Sequence, residues 1–236
     1  MNSEFASHLA MALSNHSPLP KFNEPLTLDQ AYSLQHNVVS ICSPRETVGI
    51  KAGLTTTAAQ DFFGLKHALL GSLYNEAVHA SGSSVLHVDG RILECEVAIR
   101  IDKNGRPVSC APAIEAVFLN FSHNDDMTAS NLVASNLGAE FIVLGEFLPW
   151  TDNFDAITVS ASRNKETVHT ADVANALGGP SASAKWMLEE AITRGFNIGD
   201  GTLLMTGSCG SAIPADVGDY QVDFGPLGIV QLTIHQ

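Results

Sequence analysis

The sequence predicts an α+β protein: a helical N-terminal part, residues 1–46, followed by a β-rich body, residues 47–236, in one compact domain. Three observations carry this reading. Apolar residues recur at helical spacing early in the chain, strict apolar/polar alternation appears from residue 91, and one further long helix is signalled after Pro180. A chain of 236 residues buries roughly 70% or more of the surface it would expose unfolded, so folding requires no disulfide or metal staple.

Taken in order, residues 3–14 place Phe5, Leu9 and Ala12 or Leu13 on one helical face, with Ser3 as the cap. Pro18, Pro20 and Pro25 mark the next stretch as a loop. Thr27 caps a second helix with Asp29 in its first turn and Ala31, Leu34, Val38 and Ile41 on one face; Pro44 ends it. Residues 48–54 form a strand interrupted by glycines, and Thr56 or Thr57 opens a short helix over 57–63 before Gly64. The clearest strand is 91–101: Leu93, Cys95, Val97, Ile99 and Ile101 on one face, Glu94, Glu96, Ala98 and Arg100 on the other. Residues 139–148 and 155–161 read as strands. Pro180 and Ser181 open a helix with Ala184, Met187, Leu188, Ala191 and Ile192 on one face and Gly195 as its stop. Strands at 202–206 and 229–234 complete the chain.

Charge excludes several functions. Twelve Lys+Arg against 25 Asp+Glu give −13, which argues against a nucleic-acid partner and against docking on an anionic membrane surface. Cys42, Cys95, Cys110 and Cys209 lie 15 or more residues apart without a C-x-x-C pair, which fits reduced thiols better than a disulfide framework or zinc site. The N-terminus lacks a basic leader, and no run reaches the roughly 18–20 apolar residues that span a bilayer. A cytoplasmic protein is expected.

Glu94 and Glu96 are the strongest chemical signal. Alternation puts them on one strand face with Cα atoms roughly 7 Å apart, close enough for two carboxylates to converge on one ion. Like charges so placed are unfavourable unless solvated or bridged by a cation. Oxygen-only ligands point to Mg²⁺ or Mn²⁺; the alternative is a solvated strand face, with Arg100 beside them. Glu115 stands among small and apolar neighbours, either serving the same cation or facing water from a strand edge. Lys51, between Ile50 and Ala52, either snorkels to the surface or is a buried cation suited to binding a carboxylate or moving a proton. Residues 205–214 read first as a plain β-turn, a Gly/Ser turn whose backbone N–H groups could alternatively bind an anion. His123-Asn124-Asp125-Asp126 is read as a solvated loop.

These segments together resemble the 2-keto-4-pentenoate hydratase / 4-oxalocrotonate decarboxylase family of the fumarylacetoacetate hydrolase superfamily, over nearly the whole chain. Lys51-Ala52-Gly53-Leu54-Thr55 is similar to its K-x-G-L-T segment and Gly71-Ser72-Leu73 to its G-x-L element. Glu94-Cys95-Glu96 is similar to its E-x-E, Pro112-Ala113-Ile114-Glu115 to its P-A-x-E, and Asp223 to Gly228 to its closing FGPLG stretch. The resemblance implies a mixed β-sheet roll holding a divalent ion on Glu94, Glu96 and Glu115. It further implies Lys51 as the catalytic residue, and Lys51, Leu73 and Ser208 as substrate-binding residues. The implied activity is a metal-dependent hydratase for a short anionic 2-oxo or 2-hydroxydienoic acid, acting as a homo-oligomer. Decarboxylation, or C–C hydrolysis of a diketo acid, shares the same chelate.

The chain also departs from the family pattern. Phe118 and Asn120 stand where I-V-D-S-R has its Asp and Arg, Ser135 where V-A-D-N has its Asp, and Gly210 where S-L-T has its Thr. These departures leave open a non-catalytic member serving as a subunit or ligand-binding partner.

Overall fold

The structure is a computed structural model that describes residues 3–42, 47–154 and 156–236. Pro44, expected to end the second helix, lies outside the described residues.

Among the described residues there are five α-helices, three of them opened by a threonine cap. α1 (Ser3–Ser14) buries Ala6, Leu9, Ala10 and Ala12. α2 (Leu28–Ile41) opens with a reciprocal capping box between Thr27 and Gln30 and buries Ala31, Leu34 and Val38; Ile41, expected on that face, is exposed. Thr56 caps α3 (Thr57–Phe63), and Thr128 caps α4 (Ala129–Ala134). α5 (Pro180–Arg194) ends at left-handed Gly195 and buries Ala184, Met187 and Ala191, while Ile192 points to solvent.

In chain order the first strands are β1 (Thr47–Gly53), β2 (Leu69–Tyr74), β3 (Val78–Ala80), β4 (Ser83–Leu86), β5 (Ile92–Ile101), β6 (Pro107–Val117) and β7 (Ala139–Leu144). They are followed by β8 (Leu148–Pro149), β9 (Thr158–Arg163), β10 (Glu166–Asp172), β11 (Leu203–Met205), β12 (Ile213–Pro214), β13 (Gly218–Asp223) and β14 (Ile229–His235). One sheet runs β2-β1-β11-β5-β6-β7-β3, with β12 and β8 pairing onto β5 and β6; the other runs β10-β9-β13-β14-β4. Both are mixed, since β1–β11, β3–β7 and β4–β14 are parallel and the other pairs antiparallel. The α+β class and the mixed-sheet body are as the sequence predicted.

The stretch expected as one strand over 139–148 is two. Gly145 separates β7 from β8, and a Cβ there would sit 2.6 Å from Pro112 Cγ. The strand expected at 155–161 begins at Thr158 instead; Asp155 lies outside the described residues.

The two faces of β5 meet different packing. Leu93, Cys95, Val97, Ile99 and Ile101 join the large core that also contains α1 and α2. On the other face, Ala98, Ala111 and Ala113 join Leu73, Ile142, Leu144, Leu203 and Met205 in a smaller cluster. Glu94 and Glu96 project to this second face. The small alanines leave room for carboxylates there that larger aliphatic residues would fill.

Candidate metal centre

Antiparallel register sets Glu115 of β6 directly across from Glu94 of β5, with Glu96 two residues along. The three side chains each offer a carboxylate oxygen, and these oxygens lie within 4.8 Å of one another. Glu96 and Glu115 are fully buried and Glu94 is half-buried. The solvated-face alternative is thereby overturned: of that face's charged side chains only Arg100 is exposed, its guanidinium 4.2 Å from the Phe147 ring centroid. Glu115 is likewise no strand-edge acid, since β6 lies between β5 and β7.

Lys51 does not snorkel. It is 2% exposed, its Nζ lies 2.7 Å from Glu115 Oε1, and it donates to the Leu137 carbonyl at 3.2 Å. That carbonyl is offered by a tight turn in which Asn136 and Leu137 both have left-handed φ, 52° and 53°. The Asn136 side chain fixes the turn to β2, accepting from Ser72 N at 2.7 Å and donating to Ser72 O at 3.0 Å. Sequence reasoning did not single out Asn136. The available signal was an Asn-Leu-Gly sequence, in which Asn tolerates the left-handed region and can bond backbone at once.

The Gly/Ser turn after β11 directs one backbone N–H at the carboxyl group of Glu96. Gly207 N–H donates to Glu96 Oε2 at 2.9 Å. Only glycine serves here: φ is +97°, and a Cβ would lie 2.3 Å from Thr55 Cγ2. Thr206 Oγ1 donates to Val97 O and Cys209 N to Cys95 O, both at 2.9 Å, so the turn is tied along the ligand-bearing strand. Ser208 lies in this turn, its hydroxyl donating to Gly210 O at 2.8 Å. Leu73 is buried on β2, where its side chain and Glu115 line one narrow crevice.

Three carboxylates against one ammonium leave −2 if all are ionised. Burial, joined by the charge of Glu115, raises Glu94 from 4.5 to about 7, while Lys51 opposes the rise. Glu96 is held well above the ordinary carboxylate range by burial first, then by Glu115 and Glu94. Burial alone would lower Lys51, but Glu115, Glu94 and Glu96 together hold it above its usual value. Glu96 Oε1 and Glu115 Oε2 are buried without a hydrogen-bond partner. Orphaned buried carboxylate oxygens are costly, and an all-oxygen set with a deficit of two positive charges is what a hard divalent cation satisfies. The residues fit such an ion.

The departures from the family pattern also have places. Phe118 packs its ring 5.1 Å from that of His16. Asn120 O accepts from Leu19 N at 2.7 Å. Ser135 is fully buried and its hydroxyl has no partner. At Gly210 a Cβ would lie 2.7 Å from Cε1 and Nε2 of His169, so that ring occupies the side-chain space; its Nε2 is buried and unpaired. His169 carried no sequence signal. In the expected solvated loop, His123, Asn124 and Asp125 are exposed, but Asp126 is buried and accepts from Phe22 N at 3.1 Å, anchoring the N-terminal loop.

No family model matches the chain. Among curated proteins it is 24% identical over 250 residues to 2-keto-4-pentenoate hydratase of Paraburkholderia xenovorans, covering 97% of this chain and 93% of that one. It is 26% identical over 226 residues to 2-keto-4-pentenoate hydratase 1 of Dechloromonas aromatica, covering 86% and 84%. Among solved structures, 4-oxalocrotonate decarboxylase from Pseudomonas putida G7, complexed with magnesium and adipate, superposes with a TM-score of 0.88 at 22% identity, covering 99% and 97%. The same fold, at lower similarity, is seen in fumarylpyruvate hydrolase from Pseudomonas aeruginosa in complex with Mn²⁺ and pyruvate, with a TM-score of 0.58 at 13% identity, covering 78% of this chain and 88% of that one. In sequence the chain is similar, at 22–26% identity, to curated 2-keto-4-pentenoate hydratases, and in fold to 4-oxalocrotonate decarboxylase. No helix among the described residues is long and apolar enough to cross a membrane.

Proposed function

We propose that the protein is a divalent-metal-dependent hydro-lyase that adds water to a short 2-hydroxydienoic or 2-oxo-enoic acid such as 2-hydroxypenta-2,4-dienoate. The observation that carries this reading is the buried trio of Glu94, Glu96 and Glu115, with orphaned oxygens and a buried lysine in contact. Those three residues would hold Mg²⁺ or Mn²⁺, which supplies Lewis-acid polarisation of the substrate's carboxylate and 2-oxo oxygens when bound. Lys51, kept protonated by its acidic neighbours, attracts the substrate carboxylate and can deliver a proton to the substrate carbon chain. Leu73 shapes the apolar side of the site and Ser208 its polar turn. Burial of the whole group excludes bulk water, which strengthens each of these interactions.

Decarboxylation of a 2-oxo-enedioate is the second reading, favoured by the close match in fold to 4-oxalocrotonate decarboxylase. The proposal makes the protein a cytoplasmic homo-oligomer whose partner is a small anionic acid rather than nucleic acid or a membrane. The N-terminal helices α1 and α2 then serve as a cover on the metal-binding body. The test is the ultraviolet absorbance of freshly made 2-hydroxypenta-2,4-dienoate, followed with Mg²⁺ and with chelator. Metal-dependent loss of absorbance is expected; no such loss across a panel of dienoates would leave a non-catalytic protein.

A further inference from the structure

Lys51 and Gly71 stand opposite one another in the β1–β2 pairing, and the turn at 136–138 lies against this pair. A Cβ on Gly71 would sit 3.1 Å from Asn136 O and 3.2 Å from Lys51 Cγ, and one on Gly53 would sit 2.9 Å from Leu137 Cδ1. The two glycines leave the space into which the turn is pressed. Three successive residues of that turn, Asn136, Leu137 and Gly138, have left-handed φ of 52°, 53° and 65°. Glycine adopts such a backbone freely and asparagine tolerates it, but leucine is strained there. Strain of this kind persists only where the surroundings over-determine it.

Here they do. Asn136 commits both ends of its amide to one residue of β2, with Oδ1 accepting from Ser72 N at 2.7 Å and Nδ2 donating to Ser72 O at 3.0 Å. The backbone of Gly138 closes the turn, its N–H donating to Ser135 O at 3.0 Å and its carbonyl accepting from Phe118 N at 2.9 Å. Asn136 and Leu137 are both buried. The turn so held presents the Leu137 carbonyl, which accepts from Lys51 Nζ at 3.2 Å, while Glu115 Oε1 lies 2.7 Å from the same ammonium. An ammonium carries three N–H donors. Two contacts leave at least one donor uncommitted and set its direction. An ion pair with Glu115 alone is weakly directional; the second acceptor is what fixes the orientation.

We propose that Asn136 is a positioning residue for Lys51: its clamp on Ser72 holds the strained turn in place, so that the Leu137 carbonyl aims the uncommitted N–H of the ammonium at the reacting end of the substrate. This rests on the proposed function for the role of Lys51, but the hold of Asn136 on Lys51 is testable without any substrate.

The test combines chemical labelling in chelator with kinetics in Mg²⁺. Wild type, Asn136→Gly and Asn136→Ser are reductively methylated with formaldehyde and cyanoborohydride, and modification is read peptide by peptide against exposed Lys66. Val222→Ala, a core truncation in the other sheet, is the destabilised control, with rates compared at the same interval below each protein's Tm. Glycine keeps φ 52° without strain and removes only the two side-chain bonds, so it isolates the clamp. Serine leaves one polar group facing Ser72 and should fall between glycine and wild type. Lys51 should be methylated about tenfold faster or more in Asn136→Gly than in wild type or Val222→Ala, since the clamp loses two hydrogen bonds. With 2-hydroxypenta-2,4-dienoate, kcat of Asn136→Gly should fall about tenfold or more with KM within about twofold, because the charge of Lys51 stays in the site while its direction is lost. Lys51 as protected in Asn136→Gly as in wild type, or labelled no faster than in Val222→Ala, overturns the inference, as does an unchanged kcat. A wild type that turns over no dienoate overturns the proposed function and the aim at substrate with it, and the labelling contrast still decides whether Asn136 holds Lys51.

Discussion

The protonation state of the carboxylate trio should make metal-free stability fall as pH rises, which is the reverse of the ordinary behaviour of paired carboxylates. Glu94 titrates at about 7 in the fold against 4.5 ordinarily, raised by burial and by Glu115. Between those values the folded state holds a proton that the unfolded chain has lost, so stability contributed by this group is full below about pH 4.5 and declines up to about pH 7. A rise from 4.5 to about 7 corresponds to a ceiling of about 3 kcal/mol. For a chain of this size that is a ceiling of about 10 °C in Tm, and the half-exposure of Glu94 reduces it to several degrees. A saturating divalent ion reverses the sign, because it displaces the protons and binds more tightly as pH rises. At a hundredfold excess over Kd it adds about 2.7 kcal/mol. The assay is thermal unfolding from pH 5 to 8 in chelator and in Mg²⁺, for wild type and Glu94→Gln. The expected result is a wild-type Tm in chelator that falls relative to Glu94→Gln as pH rises, with a Mg²⁺ increment that grows. A Mg²⁺ increment equal at pH 5 and pH 8, or parallel wild-type and variant curves in chelator, would refute the reasoning.

Three further outcomes follow from the same geometry. Lys51→Met leaves the trio without its buried counter-charge and should cost about 3–5 kcal/mol in urea unfolding of the metal-free protein, with part of the loss recovered on adding Mn²⁺. Gly207→Ala forces a methyl against Thr55 and strains a backbone at φ +97°, so Mn²⁺ affinity measured by electron paramagnetic resonance should drop as Glu96 loses its N–H donor. Gly210→Thr should destabilise by about 1–3 kcal/mol through overpacking against His169, and His169→Ala in the same chain should restore most of the loss; an unrestored double variant would show that the ring is not the obstacle.

The parts of the site legible in the sequence are those set by strand periodicity. Alternation alone put Glu94 and Glu96 on one face, and the capping residues Thr27 and Thr56 placed α2 and α3 correctly. β6 escaped the same reading for a physical reason. It is a central strand buried on both faces, so its apolar run carries no alternation, and Pro112 within it argues against a central strand at all. Local pattern therefore gave Glu115 no partner; its position opposite Glu94 is a matter of register between strands. Lys51 shows the same limit. Its environment is built by Glu115 and by the carbonyl of Leu137, residues far along the chain, and nothing near position 51 distinguishes a buried lysine from one that reaches water. Family resemblance supplied what periodicity could not, because it carries long-range pairing implicitly.

The four departures divide in a way that bears on what diverged. Gly210 is matched by His169, whose ring fills the vacated space from β10, so that change came with a structural counterpart. Asn120 contributes through its backbone to the N-terminal loop, where side-chain identity matters least. Phe118 and Ser135 lie together on one cleft and leave it one aromatic wall and one unpaired hydroxyl where the family pattern places two acids. None of the four replaces Glu94, Glu96, Glu115 or Lys51. A protein drifting free of its chemistry would be expected to lose first the groups that are costliest to keep, and a buried trio of carboxylates with orphaned oxygens is the most expensive feature of this fold. That the trio is intact here supports the proposed metal-dependent reading over a non-catalytic protein.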